Sequence, residues 1–124
     1  MNQPTMTIEQ LLAKMEEQLG TEPKPMKLLS GLMPDVVFEH ARFKMFLDGK
    51  TAIPDKYKQL MNVAVAVALG SQFCTLTYAR LALRKGCSPE EVVEAMLVAR
   101  FVNASTIFAT SIPAMEMMQE ENSK

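Results

Sequence analysis

The sequence predicts an all-α bundle of about six helices. Apolar residues recur at helical spacing over most of the chain, proline and glycine fall where helices start and stop, and no stretch reads convincingly as a strand. With 124 residues, 48% of them hydrophobic, the chain can bury a core, and its length predicts one domain over 1–124. Within it, residues 1–32 form an N-terminal helix and connector.

The first helix runs from Thr7 to Leu19. Thr7 as N-cap and Gln10 three positions on make a capping box, Gly20 ends the segment, and Ile8, Leu11, Leu12, Met15 and Leu19 form its apolar stripe. Pro23, Pro25 and Gly31 mark a connector with a short turn of helix at Met26–Leu29. Pro34 opens a second clear helix that reaches Asp48, with Gly49 just past its end. From Pro54 to Leu69 a Val-Ala run alternates as a strand would. Its length, the Pro54 start and the Gly70 stop favour a buried helix instead. Ser71 is the N-cap of a helix to Lys85, closed by Gly86. In Ser88-Pro89-Glu90-Glu91, Ser88 caps, Glu91 reaches back and Pro89 loses no needed N–H, so a helix starts there and continues to about Asn103. A last helix, from about Ser105, carries Phe108, Ile112, Met115 and Met118, with Pro113 kinking or restarting it.

A net charge of −1 gives no electrostatic footprint for nucleic acid. The opening Met-Asn-Gln-Pro-Thr lacks a basic region followed by an apolar one, and the longest apolar run, Val63 to Leu69, is far shorter than the roughly 20 residues of a membrane span. A cytoplasmic protein without membrane or nucleic-acid partners is expected. One histidine and two distant cysteines cannot build a tetrahedral zinc site, and no glycine-rich phosphate loop occurs, so neither metal nor cofactor is expected. A Ser-His-Asp set would need His40, which no motif ties to a serine.

Ser71, Cys74 and Tyr78 are spaced i, i+3 and i+7 and share one helix face. Cys74 falls in that helix's first turn, where free N–H groups and the macrodipole favour a thiolate. It reads either as a usable thiol or as a small buried hydrophobe. Cys87 lies a whole helix away, about 20 Å at ~1.5 Å per residue, too far for a disulfide with Cys74. It suits a hydrophobic staple on Val92. Tyr78 offers a phenol to a ligand or to Cys74, or packs its ring and bonds its hydroxyl elsewhere. Gln59 does not titrate and cannot be a general base, but can orient a ligand or a water. His40 shares a stripe with Val36, Phe43 and Leu47 and reads as a core or interface histidine, of interest if the fold brings it beside Cys74. Arg80, Arg84 and Lys85 read as a solvated face or a subunit contact.

The order of these features, an apolar helix with Gln59, the Gly70-Ser71 break, Cys74 in the next helix, then the Gly86-to-Glu91 turn, resembles the carboxymuconolactone decarboxylase and alkylhydroperoxidase D superfamily over roughly Met33 to Met118. In its redox-active members the resemblance implies a glutamate at Gln59, a first cysteine at Ser71, a second at Cys74 and a histidine at Tyr78. This chain keeps only Cys74 of the four. Its hydroxyl neighbour cannot form a disulfide, so the family's peroxide cycle cannot run as it stands. The decarboxylase branch uses a histidine at or near the Tyr78 position, which is also absent. Two functions remain: a divergent thiol-dependent oxidoreductase of peroxidase type, or a non-catalytic, small-molecule-binding member. The Pro54–Leu69 helix, with few polar positions to show to water, predicts a homo-oligomer, and the resemblance implies the same, a trimer or hexamer.

Overall fold

The computed structural model of the chain describes residues 5–124. The reading of the extreme N-terminus as leader-free falls largely on residues 1–4, which lie outside them. Seven helices and no strand occur among the described residues: α1 (Ile8–Leu19), α2 (Lys24–Leu32), α3 (Pro34–Asp48), α4 (Asp55–Ala68), α5 (Gln72–Arg84), α6 (Pro89–Thr110) and α7 (Ile112–Asn122). The fold is the expected all-α bundle.

Local chemistry sets the boundaries. Both capping boxes form: Thr7 accepts from the Gln10 N–H and Ser88 from the Glu91 N–H, each at 3.1 Å, and each N3 side chain accepts the cap's own N–H at 2.9 Å. Each such cap is worth about 1 kcal/mol. Gly70 and Gly86 turn the chain at φ 75° and 97° between α4, α5 and α6, a region that glycine enters without steric cost.

Two boundaries differ from the sequence reading. The connector is not a single turn but the nine-residue α2, which a proline in its first turn helps to start. The break expected near Asn103 is absent, because hydroxyls there bond back into the preceding turn: Ser105 Oγ donates to the Phe101 carbonyl (3.1 Å) and Thr106 Oγ1 to that of Asn103 (2.6 Å). The helix ends instead at Ser111, and Pro113 lies in the first turn of α7, so it restarts a helix rather than kinking one.

The centre is the α4–α5 pair, with α6 laid against α4 and α1 packed on α5 and α3. Val63, Ala82, Cys87 and Val92 form the buried cluster, with Leu60, Tyr78, Ala79 and Met96 packed around it. Beyond Ala99 almost nothing is buried. Phe101, Ile107, Phe108 and Met118 are between 56% and 74% exposed, so the end of α6 and all of α7 form an apolar arm uncovered within one copy. By length and composition α6 is long and apolar enough to cross a membrane. Counting uninterrupted apolar runs missed it, because Glu94 and Arg100 divide the segment.

Candidate functional site

Ser71 begins the site. Its backbone is extended (φ −86°, ψ 103°) and its Oγ accepts the Cys74 N–H at 3.2 Å, so the hydroxyl caps α5 and Cys74 is the helix's third residue. Cys74 is half-buried and free. The residue lines a cavity of about 280 Å³ bounded by α1, the α1–α2 connector, α2, α3 and α5. The walls are mostly apolar, with Leu11 and Met15 from α1, Met26 from α2, Met45 from α3 and Phe73 from α5; Lys14, Lys44 and Asp48 supply charge. Tyr78 and His40 line the same space.

Tyr78 stands one turn beyond Cys74. Burial pushes its phenol above the usual value, and neighbouring Cys74 pushes it further. The hydroxyl therefore keeps its proton at neutral pH and remains a hydrogen-bond donor.

Gln59 does not share that cavity. It lies on α4 in the wall of a second one of about 150 Å³, with Lys58, Asn62, Lys44 and Asp48. His40 and Tyr78 line both cavities and so stand between Cys74 on one side and Gln59 on the other. The residue is only 2% exposed. Its Nε2 donates to Asp55 Oδ1 at 3.1 Å, while its Oε1 has no hydrogen-bond partner. Slight burial acts to raise the Asp55 pKa, but the Gln59 amide and the Lys85 ammonium 3.4 Å away outweigh it and hold the carboxyl below its ordinary value.

The remaining candidates have structural surroundings. Cys87 is 5% exposed, its Sγ lies 3.8 Å from the Lys56 carbonyl, and it shares the core cluster with Val92. Burial pushes its thiol up, with Glu91 adding to the effect. Both cysteines are free. The basic triplet on α5 is not simply a solvated face. Arg84 Nη1 donates to the carbonyls of Glu17 (3.1 Å) and Gln18 (3.3 Å), closing the C-terminal end of α1 and fastening it to α5, while Lys85 pairs with Asp55. Among the described residues no three His, Cys, Asp or Glu side chains gather as metal ligands would.

The site thus joins a thiol, a protonated phenol and an imidazole around an apolar space. A family model, described as the carboxymuconolactone decarboxylase family, matches residues 37–117. The chain belongs to the carboxymuconolactone decarboxylase family. No curated protein matches it significantly. The match to the carboxymuconolactone decarboxylase family starts inside α3 and ends inside α7, so α1 and α2 lie outside it. Those two helices still build one wall of the Cys74 cavity. Sequence reasoning missed that contribution, and it named His40 only conditionally, as of interest if the fold brought it beside Cys74; His40 and Cys74 line the same cavity. The only signal was the apolar stripe of α1, which announces burial without naming what it covers.

Proposed function

We propose that this protein is a thiol-dependent oxidoreductase of peroxidase type that works with one cysteine, Cys74. The observation that carries the reading is the half-buried Cys74 thiol in the wall of a mostly apolar cavity, with the protonated Tyr78 hydroxyl one turn away. The Cys74 thiolate attacks the terminal oxygen of a hydroperoxide, the O–O bond breaks, and the products are the Cys74 sulfenic acid and an alcohol once the leaving oxygen takes up a proton. Two molecules of an external thiol then return Cys74 to the thiol, releasing water and their own disulfide. Tyr78 donates to the peroxide oxygen, and the apolar walls favour an organic hydroperoxide over hydrogen peroxide. Ser71 supplies no second thiol and caps the helix that carries the first.

A sulfenate-trapping reagent tests this. Labelling of Cys74 after a low dose of cumene hydroperoxide, absent in Cys74→Ser, supports the reading. An inert Cys74 in folded protein defeats it. The second reading, a non-catalytic member that binds a small molecule, is favoured by the bare Oε1 of Gln59, which is suited to a ligand's donor and useless as a base.

The same scaffold works as a homo-oligomer, a trimer or hexamer, in the cytoplasm, with the apolar arm of α6 and α7 covered by other copies. Exposed contiguous apolar surface of this extent is unfavourable for an isolated soluble chain. Sedimentation at micromolar concentration is expected to show an assembly that Phe101→Glu with Phe108→Glu breaks into smaller species; a stable wild-type monomer overturns it.

A further inference from the structure

His40, the only histidine in the chain, comes from α3 and is invisible to any motif centred on α5. It is exposed, and it lines the Cys74 cavity and the Gln59 cavity at once. A second, independent observation is the 2% exposed Gln59, a residue in the wall of that second cavity, whose Oε1 has no hydrogen-bond partner. A buried carbonyl left bare selects an N–H or O–H.

We propose that His40 is the acid–base residue of the Cys74 centre, with Gln59 as its positioning residue. The inference rests on the one-cysteine reading above. His40 accepts the proton of the Cys74 thiol and becomes an imidazolium. Only in this charged state does its other ring N–H turn to the Gln59 carbonyl, which has no partner in the resting protein, so that amide stabilises the imidazolium and sets its orientation. After the thiolate attacks the hydroperoxide, the imidazolium returns the same proton to the leaving alkoxide. One thiol and one hydroperoxide enter; one sulfenic acid and one alcohol leave, and His40 ends as it began.

The other groups facing His40 are poorly suited to this task. Lys14 on α1 presents an ammonium, which has no lone pair for a proton. Lys44 and Asp48 on α3 hold each other at 2.6 Å. Lys58 on α4 is committed to the Leu47 and Lys50 carbonyls. On α5, Tyr78 stays protonated. Imidazole is the side-chain group that ordinarily gives and takes a proton near neutral pH.

The test uses the full-length protein and two readouts of Cys74 from mildly acidic to alkaline pH: alkylation by iodoacetamide, and sulfenate formation with cumene hydroperoxide. Wild type, His40→Gln and His40→Ala are compared, the last with and without added imidazole, after circular dichroism confirms folding. His40→Gln is expected to slow oxidation at neutral pH about a hundredfold and to move the rise of the alkylation profile to higher pH. Free imidazole is expected to restore part of the rate in His40→Ala and to leave wild type unchanged. Unaltered pH profiles without imidazole rescue overturn the assignment while leaving the one-cysteine reading intact. If wild type forms no sulfenate, that reading fails, and the alkylation profile alone decides: a shift in His40→Gln keeps His40 as the thiol's proton acceptor, and no shift overturns it.

Discussion

Replacing Gln59 with methionine should make the protein more stable. The side chain is 2% exposed, so its carbonyl loses water on folding, and its Oε1 finds no donor in exchange. A buried polar group left in that state costs about 1–3 kcal/mol. Against this, Gln59→Met removes the 3.1 Å bond from Nε2 to Asp55. That carboxylate is largely exposed and keeps Lys85 at 3.4 Å, so the lost bond is worth about 1 kcal/mol. Methionine has similar volume and adapts to the space. The balance is a gain of about 1 kcal/mol, or roughly 4 °C in melting temperature for a domain of this size. Calorimetry or urea unfolding measures it, at one protein concentration because assembly shifts apparent stability. A loss of more than about 1 kcal/mol would refute the reasoning, since it means that Oε1 is satisfied in solution. Gln59→Glu provides the opposite sign. A buried carboxylate beside Asp55 has a raised pKa in the folded state, so it destabilises above that value. The penalty fades as pH falls toward the ordinary glutamate value of about 4.3.

Cys74, half-exposed, should alkylate in native protein while Cys87, 5% exposed and with its thiol pushed up by burial, reacts only on unfolding; peptide mapping ranks them, and equal rates would contradict the buried placement of Cys87. The hydrogen bond from Lys56, 2.7 Å away, and then the Ser88 N–H hold the Glu91 carboxyl below its ordinary value. Its contribution is present above that value and lost as pH falls through the depressed one, so Glu91→Gln, which keeps a capping side chain, should flatten the acid limb of a stability-against-pH curve. An identical acid limb in the variant would show that the pair contributes nothing. The triple variant Ser71→Cys, Tyr78→His, Gln59→Glu should gain peroxide turnover with a dithiol reductant, at a cost of about 1 kcal/mol from the lost serine cap added to the burial penalty of the new carboxylate at position 59. If it folds, forms the Cys74 disulfide and remains inactive, the pocket rather than these residues has diverged.

What the sequence showed well was local. Thr7, Ser71 and Ser88 announced their helices because a cap is written in a few adjacent residues, and Cys74 and Tyr78 fell together because one helix carries both. Asn103 and Ser105 misled because a hydroxyl can bond back into its own helix as readily as it can cap the next. The site was legible only along α5. His40 reaches it from α3 and the apolar wall from α1, and nothing in local spacing encodes which helices will meet. Gln59 was expected among the site residues, yet the fold places it in a separate cavity behind Tyr78 and His40.

Gly20 shows where damage to this protein would go unrecognised. It sits exposed in a surface turn, far along the chain from Cys74, where substitutions are commonly tolerated. Its φ is +73°, and a Cβ there would lie 2.7 Å from Nη1 of Arg84, the group that fastens α1 to α5. A side chain at this point would strain the backbone and displace the guanidinium together, loosening the helix that walls the cavity. Variant surveys that score positions by exposure or by distance from the thiol would rate Gly20 harmless. The molecule instead makes it a remote control point for the shape of the site.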